Sequence, residues 1–173
     1  MLTILPLSSA SAHIPAARSL YERAFPENER RSFDDMLGDP SGICDLVVVL
    51  EGSRFVGFAC TLVCIGIAHI IYFAVEEDLR GKGLGSAILR LLHERYTPMR
   101  VIVDIECTGA TYPNNRQRSA RKAFYIRAGY RENPVFYRWQ DEDYEVLSFG
   151  GAITYEEFCD FWKDAYAKNP AIG

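Results

Sequence analysis

The segment Arg80-Gly81-Lys82-Gly83-Leu84-Gly85-Ser86 combines glycines with cations, a composition suited to holding an anion. It follows an apolar, β-like stretch at 67–75 and precedes a stretch whose apolar residues recur at helical spacing. The first N–H groups of a helix have no internal partner and lie at the positive end of the helix dipole. Glycines let the backbone approach an anion without interference from a Cβ. The segment therefore predicts a phosphate-binding turn. The alternative is a tight turn with a charged, solvent-facing rim.

Two nucleotide-binding motifs do not fit this turn. The Walker loop requires GxxxxGK[ST], but Lys82 is followed by Gly83. The dinucleotide fingerprint requires GxGxxG, and here the last glycine, Gly85, comes one residue too early. The run of βαβ units that accompanies that fingerprint is also missing from the sequence pattern. The turn alone therefore leaves its anion unidentified.

The elements that must position this turn can be assigned from hydrophobic periodicity and turn residues. We expect one domain over residues 1–173, with an α+β fold, a mixed sheet and the order βααβββαβαββα. Ser8, Ser9 and Ser11 offer capping oxygens for the first helix. Strands are predicted at 2–7, 43–50, 54–64, 67–75, 101–105, 134–139 and 143–149. Helices are predicted to about 25, within 27–39, from the glycine turn to about 97, at about 116–128 and at about 154–168.

Two motifs at this separation resemble the GNAT superfamily of N-acetyltransferases. RGKGLGSAIL is similar to its acyl-CoA motif [RQ]-x-x-G-x-[GA], with Arg80, Gly83 and Gly85 at the fixed positions. The preceding HIIYFAV looks like the fourth strand of that family. AFYIRAGY resembles the last family motif, through Tyr125 and the Gly129-Tyr130 pair. The resemblance covers residues 1 to about 150 and implies a GNAT-like acyl-CoA N-acyltransferase fold.

The resemblance also implies how the acyl donor, most often acetyl-CoA, would bind. In this family the fourth and fifth strands splay apart, and the pantetheine arm pairs with the fourth strand like an added strand. The backbone groups concerned would be those of Phe73, Ala74 and Val75. The pyrophosphate would be held by Arg80, Gly81, Lys82, Gly83, Leu84, Gly85 and Ser86.

One part of the family pattern is changed in this chain. Many members carry Asn and Ala before the motif tyrosine, at places held here by Arg118 and Arg121. Arg118, together with Arg116, Arg121 and Lys122, is therefore expected to face a phosphate of the nucleotide. The alternative is that these cations form a solvated helix face.

Transfer of an acyl group from a thioester to an amine needs an acid and a base. Tyr125 matches the tyrosine that the family places near the thioester sulfur, where a phenol can donate to the leaving thiolate. The alternative is an ordinary helix-to-core tyrosine. His69 is the first choice for the base because imidazole titrates near neutrality, and the strand period would place it on one face with Ile71 and Phe73. The alternative is a histidine that is only hydrogen-bonded. Glu106 is the second choice, unless it is a solvated carboxylate at a strand end.

Composition limits the partners that we expect. A net charge of −4, from 19 basic and 23 acidic residues, disfavours nucleic acid and anionic membranes as partners. The five cysteines lack zinc-site spacing, so we expect reduced thiols, no metal and a cytoplasmic location. No apolar run is long enough to cross a bilayer.

The sequence thus predicts a cytoplasmic N-acetyltransferase that acts on a primary amine of a small molecule or peptide. The alternative is a catalytically silent GNAT-fold module that binds acyl-CoA or a protein partner. Signals for the acceptor conflict, because Glu27 and Glu29 would attract a cationic amine whereas Arg30 and Arg31 would hold a carboxylate. Residues 131–173 could form a homodimer surface. The resemblance points to an acceptor site built from Phe25, Glu29, Arg30, Arg31, Phe33, Tyr112 and Tyr137.

Overall fold

Seven strands and five α-helices follow the order predicted from the sequence in a computed structural model that describes residues 1–7 and 11–172. The strands are β1 Leu2–Pro6, β2 Cys44–Glu51, β3 Arg54–Cys64, β4 Ile67–Val75, β5 Arg100–Glu106, β6 Arg131–Trp139 and β7 Glu142–Phe149. The helices are α1 Ile14–Ala24, α2 Phe33–Leu37, α3 Leu84–Tyr96, α4 Asn115–Arg127 and α5 Tyr155–Lys168.

The strands form one mixed sheet in the order β1-β2-β3-β4-β5-β7-β6. The first four strands are an antiparallel meander, and α3 connects β4 to the parallel strand β5. Apolar residues of α3 and α4 cover one face of the sheet, whereas those of α1, α2 and α5 cover the other. The predicted α+β fold with a mixed sheet is therefore confirmed. None of the helices in the described part of the chain is long and apolar enough to cross a bilayer.

Some predicted boundaries move for local reasons. The helix predicted within 27–39 is divided into a 3₁₀ turn at Glu27–Glu29 and the short α2, because Arg30 is extended between them. The turn before β7 lies at Gln140 and Asp141, which both have positive φ. The last helix begins with a capping box formed by Thr154 and Glu157. Ser8 and Ser9, expected to cap the first helix, lie outside the described residues, as does the side chain of Ser11.

Strands β4 and β5 pair over three residues and then separate. Their ladder ends at His69, opposite Ile102. Beyond that point β4 continues along β3 as far as Val75, while β5 continues along β7 as far as Glu106. The two strands therefore enclose a V-shaped opening, as the resemblance implied.

A bulge changes which face each β4 side chain occupies. In the β3–β4 ladder the partner of Tyr72 is Cys60 and the partner of Ile70 is Thr61, so Ile71 is an extra residue. An extra residue reverses the alternation of side chains beyond it. His69 therefore contacts aromatic residues of α5, while Phe73 packs with the α3/α4 cluster. The expectation that His69, Ile71 and Phe73 share one face was wrong.

Candidate active site

A cleft of about 1240 Å³ passes through the opening between β4 and β5. On the α3/α4 side of the sheet its lining includes Ser86 and Tyr125, and on the α1/α5 side it includes Phe25 and Trp162. A ligand that enters beside α3 can therefore reach the opposite face of the sheet.

The glycine turn at one end of the cleft leaves N–H groups free. Gly81 and Gly83 have φ values of 76° and 77°, a left-handed conformation that favours glycine. Gly83 is the N-cap of α3 and no side chain in the described part of the chain caps this helix, so its first N–H groups remain available to a ligand. A Cβ on Gly85 would lie 3.2 Å from the Phe124 ring, so glycine lets α3 begin close to α4.

The residues predicted to bind pyrophosphate do not all line the cleft. Those that do are Arg80, Gly81, Gly83, Gly85 and Ser86. Arg80 Nε donates to the Val75 carbonyl (3.0 Å), which ties the turn to the end of β4. Lys82 instead donates to the Asp78 carbonyl (2.8 Å), and Leu84 packs against the core. Arg127, which the sequence reasoning missed, adds a cation to the lining.

The end of β4 offers an unpaired strand edge to the cleft. Phe73, Ala74 and Val75 line it, and each pairs with a residue of β3 on its other side. Because the ladder to β5 ends at His69, backbone groups that point toward β5 have no strand partner. Such an edge can accept a further extended chain.

Arg118 does not face a phosphate site, as the sequence led us to expect, but lies buried among carboxylates. Its side chain is only 3% exposed, and its Nη2 is 2.9 Å from Glu142 and 3.4 Å from Glu106. The guanidinium carbon also lies 4.1 Å from the centroid of the Tyr112 ring. Carboxylates of the adjacent strands therefore form ion pairs with Arg118. Glu106 also pairs with Arg121, and Glu145 pairs with Lys122. Neither predicted alternative describes Arg118, which is a buried ion-pair partner.

A histidine–aspartate pair lies where β4 and β5 separate. His69 Nε2 is 3.0 Å from Asp104 Oδ1, and the Tyr137 hydroxyl donates to Asp104 Oδ2. Burial opposes ionisation of Asp104. The charge and hydrogen bond of His69, with the hydrogen bond from Tyr137, nevertheless hold the pKa of Asp104 below its usual value. Burial and the Asp104 charge raise the pKa of Tyr137, so its hydroxyl remains a donor.

The member of this pair that reaches the cleft is Asp104. Its side chain is 20% exposed and lines the cleft, whereas that of His69 is fully buried. His69 Nδ1 has no hydrogen-bond partner in the described part of the chain. His69 can therefore exchange protons with a ligand only through Asp104. The sequence reasoning missed Asp104, although a single carboxylate inside the apolar run VIVDI was a signal that could have found it.

Tyr125 lines the cleft from α4. Burial raises the pKa of its hydroxyl to about 12, with a further contribution from the Asp104 charge and an opposing one from Arg121. The phenol therefore stays protonated at neutral pH and can donate a proton. Its position fits the acid role implied by the resemblance, and its burial fits the alternative of a core tyrosine.

Glu106 also lines the cleft, but its oxygens already have cationic partners. Oε2 lies 2.6 Å from Arg121 Nη1, and Oε1 lies 3.4 Å from Arg118 Nη2. A substrate ammonium group would have to compete with these two guanidinium groups. Asp104 is therefore the better placed carboxylate to receive a proton.

The other half of the cleft is aromatic. Of the residues expected for the acceptor, Phe25, Glu29, Arg31 and Tyr137 line it, whereas Arg30, Phe33 and Tyr112 do not. Helix α5 supplies lining residues that the sequence reasoning missed, because nothing in its apolar pattern told which residues face the cleft. They are Tyr155, Phe158, Cys159, Trp162, Lys163 and Tyr166.

Comparison with known families assigns the central part of the chain to a recognised domain. The model of the acetyltransferase (GNAT) domain family matches residues 43–132, just over half of the chain. An uncharacterised N-acetyltransferase of Methanocaldococcus jannaschii is 26% identical over 104 residues, which span 60% of this chain. The match spans 63% of the length of that relative.

Solved structures show the same fold. A GNAT-family protein of Bacteroides thetaiotaomicron assigned as an acetyltransferase has a TM-score of 0.75 at 17% identity, over 98% of each chain. The ribosomal-protein-S18-alanine N-acetyltransferase of Escherichia coli has a TM-score of 0.63 at 22% identity, over 89% of this chain and 96% of its own. A GNAT acetyltransferase of Elizabethkingia anophelis with acetyl-CoA bound has a TM-score of 0.57 at 13% identity, over 86% of this chain and 97% of its own.

Proposed function

Because the chain belongs to the GNAT family of acetyltransferases, we propose that it transfers an acetyl group from acetyl-CoA to a primary amine of a small molecule or peptide. The observation that carries this proposal is the His69–Asp104 pair, whose aspartate lines the same cleft as Tyr125 and the glycine turn. A base and an acid thus flank the opening through which an acyl donor could enter.

The glycine turn and the free edge of β4 would hold the donor. The first N–H groups of α3, with Arg80, would bind its pyrophosphate. The unpaired backbone of Phe73, Ala74 and Val75 would pair with the extended arm. Acetyl-CoA, when bound, supplies the acetyl thioester. A related fold with bound acetyl-CoA supports this choice of donor.

The residues of the cleft would move two protons while the acetyl group is transferred. A C–N bond forms between the acceptor nitrogen and the acetyl carbon, and the C–S bond breaks. Asp104, backed by His69, takes the proton that the ammonium group of the acceptor must lose. Tyr125 donates its phenolic proton to the departing sulfur and is reprotonated by the second proton that the nitrogen loses as the amide forms. Asp104 releases the proton that it took to solvent. The two residues thereby remain unchanged over a full cycle.

Two further parts of the proposal concern location and assembly. The free cysteines in the described residues fit the reducing cytoplasm. Strand β6 is an edge of the sheet, and its exposed Phe136 and Trp139 support the proposal that residues 131–173 form a homodimer surface.

Two measurements test the proposed reaction. Acetyl-CoA at millimolar concentration should raise the melting temperature, and free thiol should appear when an accepted amine is added. The absence of any thermal shift would contradict the donor site. Tight binding of acetyl-CoA without thiol release across a broad set of amines would favour the alternative, a catalytically silent module.

A further inference from the structure

Arg31 occupies a position in the cleft where no carboxylate of the described residues balances its charge. It lines the aromatic half, and no ion pair joins it to a carboxylate within residues 1–7 and 11–172. Its Nη1 atom is enclosed by protein atoms and has no hydrogen-bond partner within these residues. A buried guanidinium nitrogen without a hydrogen bond is costly. The position therefore favours an anionic group on a ligand.

The loop that carries Arg31 is fixed by tyrosine hydroxyls. Tyr21 donates to the Arg31 carbonyl (2.9 Å), and the Arg31 N–H donates to the Tyr72 hydroxyl (3.1 Å). Tyr72 in turn donates to the Glu29 carbonyl (2.7 Å). The guanidinium carbon lies 5.1 Å from the centroid of the Trp162 ring. Arg31 is thus held in place before a ligand arrives, which lowers the entropic cost of binding.

The same indole ring joins Arg31 to the candidate proton acceptor. The ring centroids of Trp162 and His69 are 5.3 Å apart, so Trp162 contacts both Arg31 and the histidine of the His69–Asp104 pair. Three carboxylates, those of Glu29, Asp104 and Glu106, line the same cleft. Burial raises the pKa of Glu29, as does the nearby charge of Glu106. This half of the cleft therefore presents a cation and carboxylates within reach of one small molecule.

We propose that the acceptor is an amine that also carries a carboxylate, such as an amino acid with an apolar or aromatic side chain. This inference rests on the proposed function. The planar guanidinium of Arg31 would bind the carboxylate with two parallel hydrogen bonds. The amine would face Asp104, and the apolar part would lie against Phe25, Tyr137 and Phe158.

Thiol release with matched acceptors tests this inference. We would compare L-phenylalanine and L-leucine with their carboxamides, which differ in charge at one group. Arg31→Gln should lower kcat/KM for the carboxylates by about tenfold or more, the effect of one lost charge-assisted contact, and lower it much less for the carboxamides, which carry no negative charge. Because carboxamides have less basic amines, the comparison of variants is the decisive one rather than the ratio in the unaltered protein.

Two further variants control for a general loss of positive charge and for poor folding of Arg31→Gln. Arg30→Gln should keep the preference, because Arg30 lines a separate shallow pocket and not the cleft. Arg31→Lys keeps the charge but loses the planar fork, so it should give an intermediate loss even if Arg31→Gln folds poorly.

The possible outcomes separate this inference from the proposed function. An equal loss for carboxylates and carboxamides in both Arg31 variants would overturn the inference and leave the acetyltransferase proposal intact. A loss in Arg31→Gln that is no larger for L-phenylalanine and L-leucine than for simple amines without a carboxylate would do the same. A lack of thiol release with every amine would overturn both.

Discussion

His69 and Asp104 meet at the point where two parallel strands separate. His69 is the last residue of β4 that pairs with β5, opposite Ile102, and Asp104 lies two residues further along β5. The hydrogen bond between them therefore spans the vertex of the V-shaped opening. The location explains why one partner is fully buried while the other reaches the cleft. It also gives the candidate base a fixed place relative to the open edge of β4.

Replacement of Asp104 tests whether this pair accepts the proton. Asp104→Asn should lower kcat/KM by about 10²-fold, because an amide cannot take a proton from the acceptor amine. Since its surroundings hold the pKa of Asp104 below its usual value, the carboxylate persists to lower pH than an ordinary aspartate. Steady-state rates of thiol release from pH 5 to 9 would measure the effect.

Variants at Glu106 and His69 are the controls for Asp104→Asn. Glu106→Gln should change kcat/KM only a few-fold, since two arginines already occupy its oxygens. His69→Gln should alter the pH profile more than the KM for the acceptor, as expected for a residue that acts through Asp104. A greater loss in Glu106→Gln than in Asp104→Asn would reverse the assignment of the base.

Tyr125→Phe tests the acid. Removal of the hydroxyl should lower kcat by about 10²-fold while acetyl-CoA binds with nearly unchanged affinity. Tyr96→Phe is a matched control, because it removes a buried hydroxyl that donates to Asp45 (2.8 Å) and does not line the cleft. Stopped-flow thiol release and calorimetric titration would give the two quantities. An unchanged kcat in Tyr125→Phe would leave Tyr125 as a core residue.

Alanine substitutions at two glycines with similar backbone conformations distinguish an effect on donor binding from an effect of backbone strain. Gly83 and Gly52 have φ values of 77° and 62°, and a Cβ on either would meet no atom within 4 Å. Alanine at either position should therefore destabilise the fold by about 1–2 kcal/mol through backbone strain alone. Only Gly83→Ala should lower the affinity for acetyl-CoA, because Gly52 lies in the β2–β3 turn. Titration calorimetry would measure this affinity. Equal affinity in both variants would argue against a phosphate site at the glycine turn.

His93 should make stability fall at mildly acidic pH. It is stacked on Phe149, with ring centroids 3.6 Å apart, and burial lowers its pKa from 6.5 to about 4. Between these values the unfolded chain binds a proton that the folded chain does not, so stability falls as the pH drops. The loss should approach ~3 kcal/mol at pH 4. Denaturant unfolding at pH 7 and 4.5 should show a smaller loss in His93→Gln than in the unaltered protein.

Local sequence patterns were sufficient to predict most of the fold. Strands 54–64 and 67–75 were predicted with the bounds that the structure has, because continuous β-branched runs ended by turn residues are a local signal. The bulge at Ile71 was not predicted, since no glycine or proline marks it and it arises from pairing with β3. That single extra residue is the reason why Phe73 was assigned to the wrong face.

The site was less predictable because its partners come from distant parts of the chain. His69 was identified as a site residue, but its contact with Asp104 depends on how β4 and β5 align. Arg118 was assigned to a phosphate because its carboxylate partners, Glu106 and Glu142, become neighbours only in the folded sheet. The aromatic contribution of α5 to the cleft likewise depends on packing that no local pattern encodes.

The most direct test of the account is thiol release from acetyl-CoA across a panel of amines that includes amino acids and their carboxamides. Thiol release should depend on the amine, and mass spectrometry should detect the acetylated acceptor. Asp104→Asn should abolish most of the release. Binding of acetyl-CoA with no amine-dependent release from any acceptor would contradict the account.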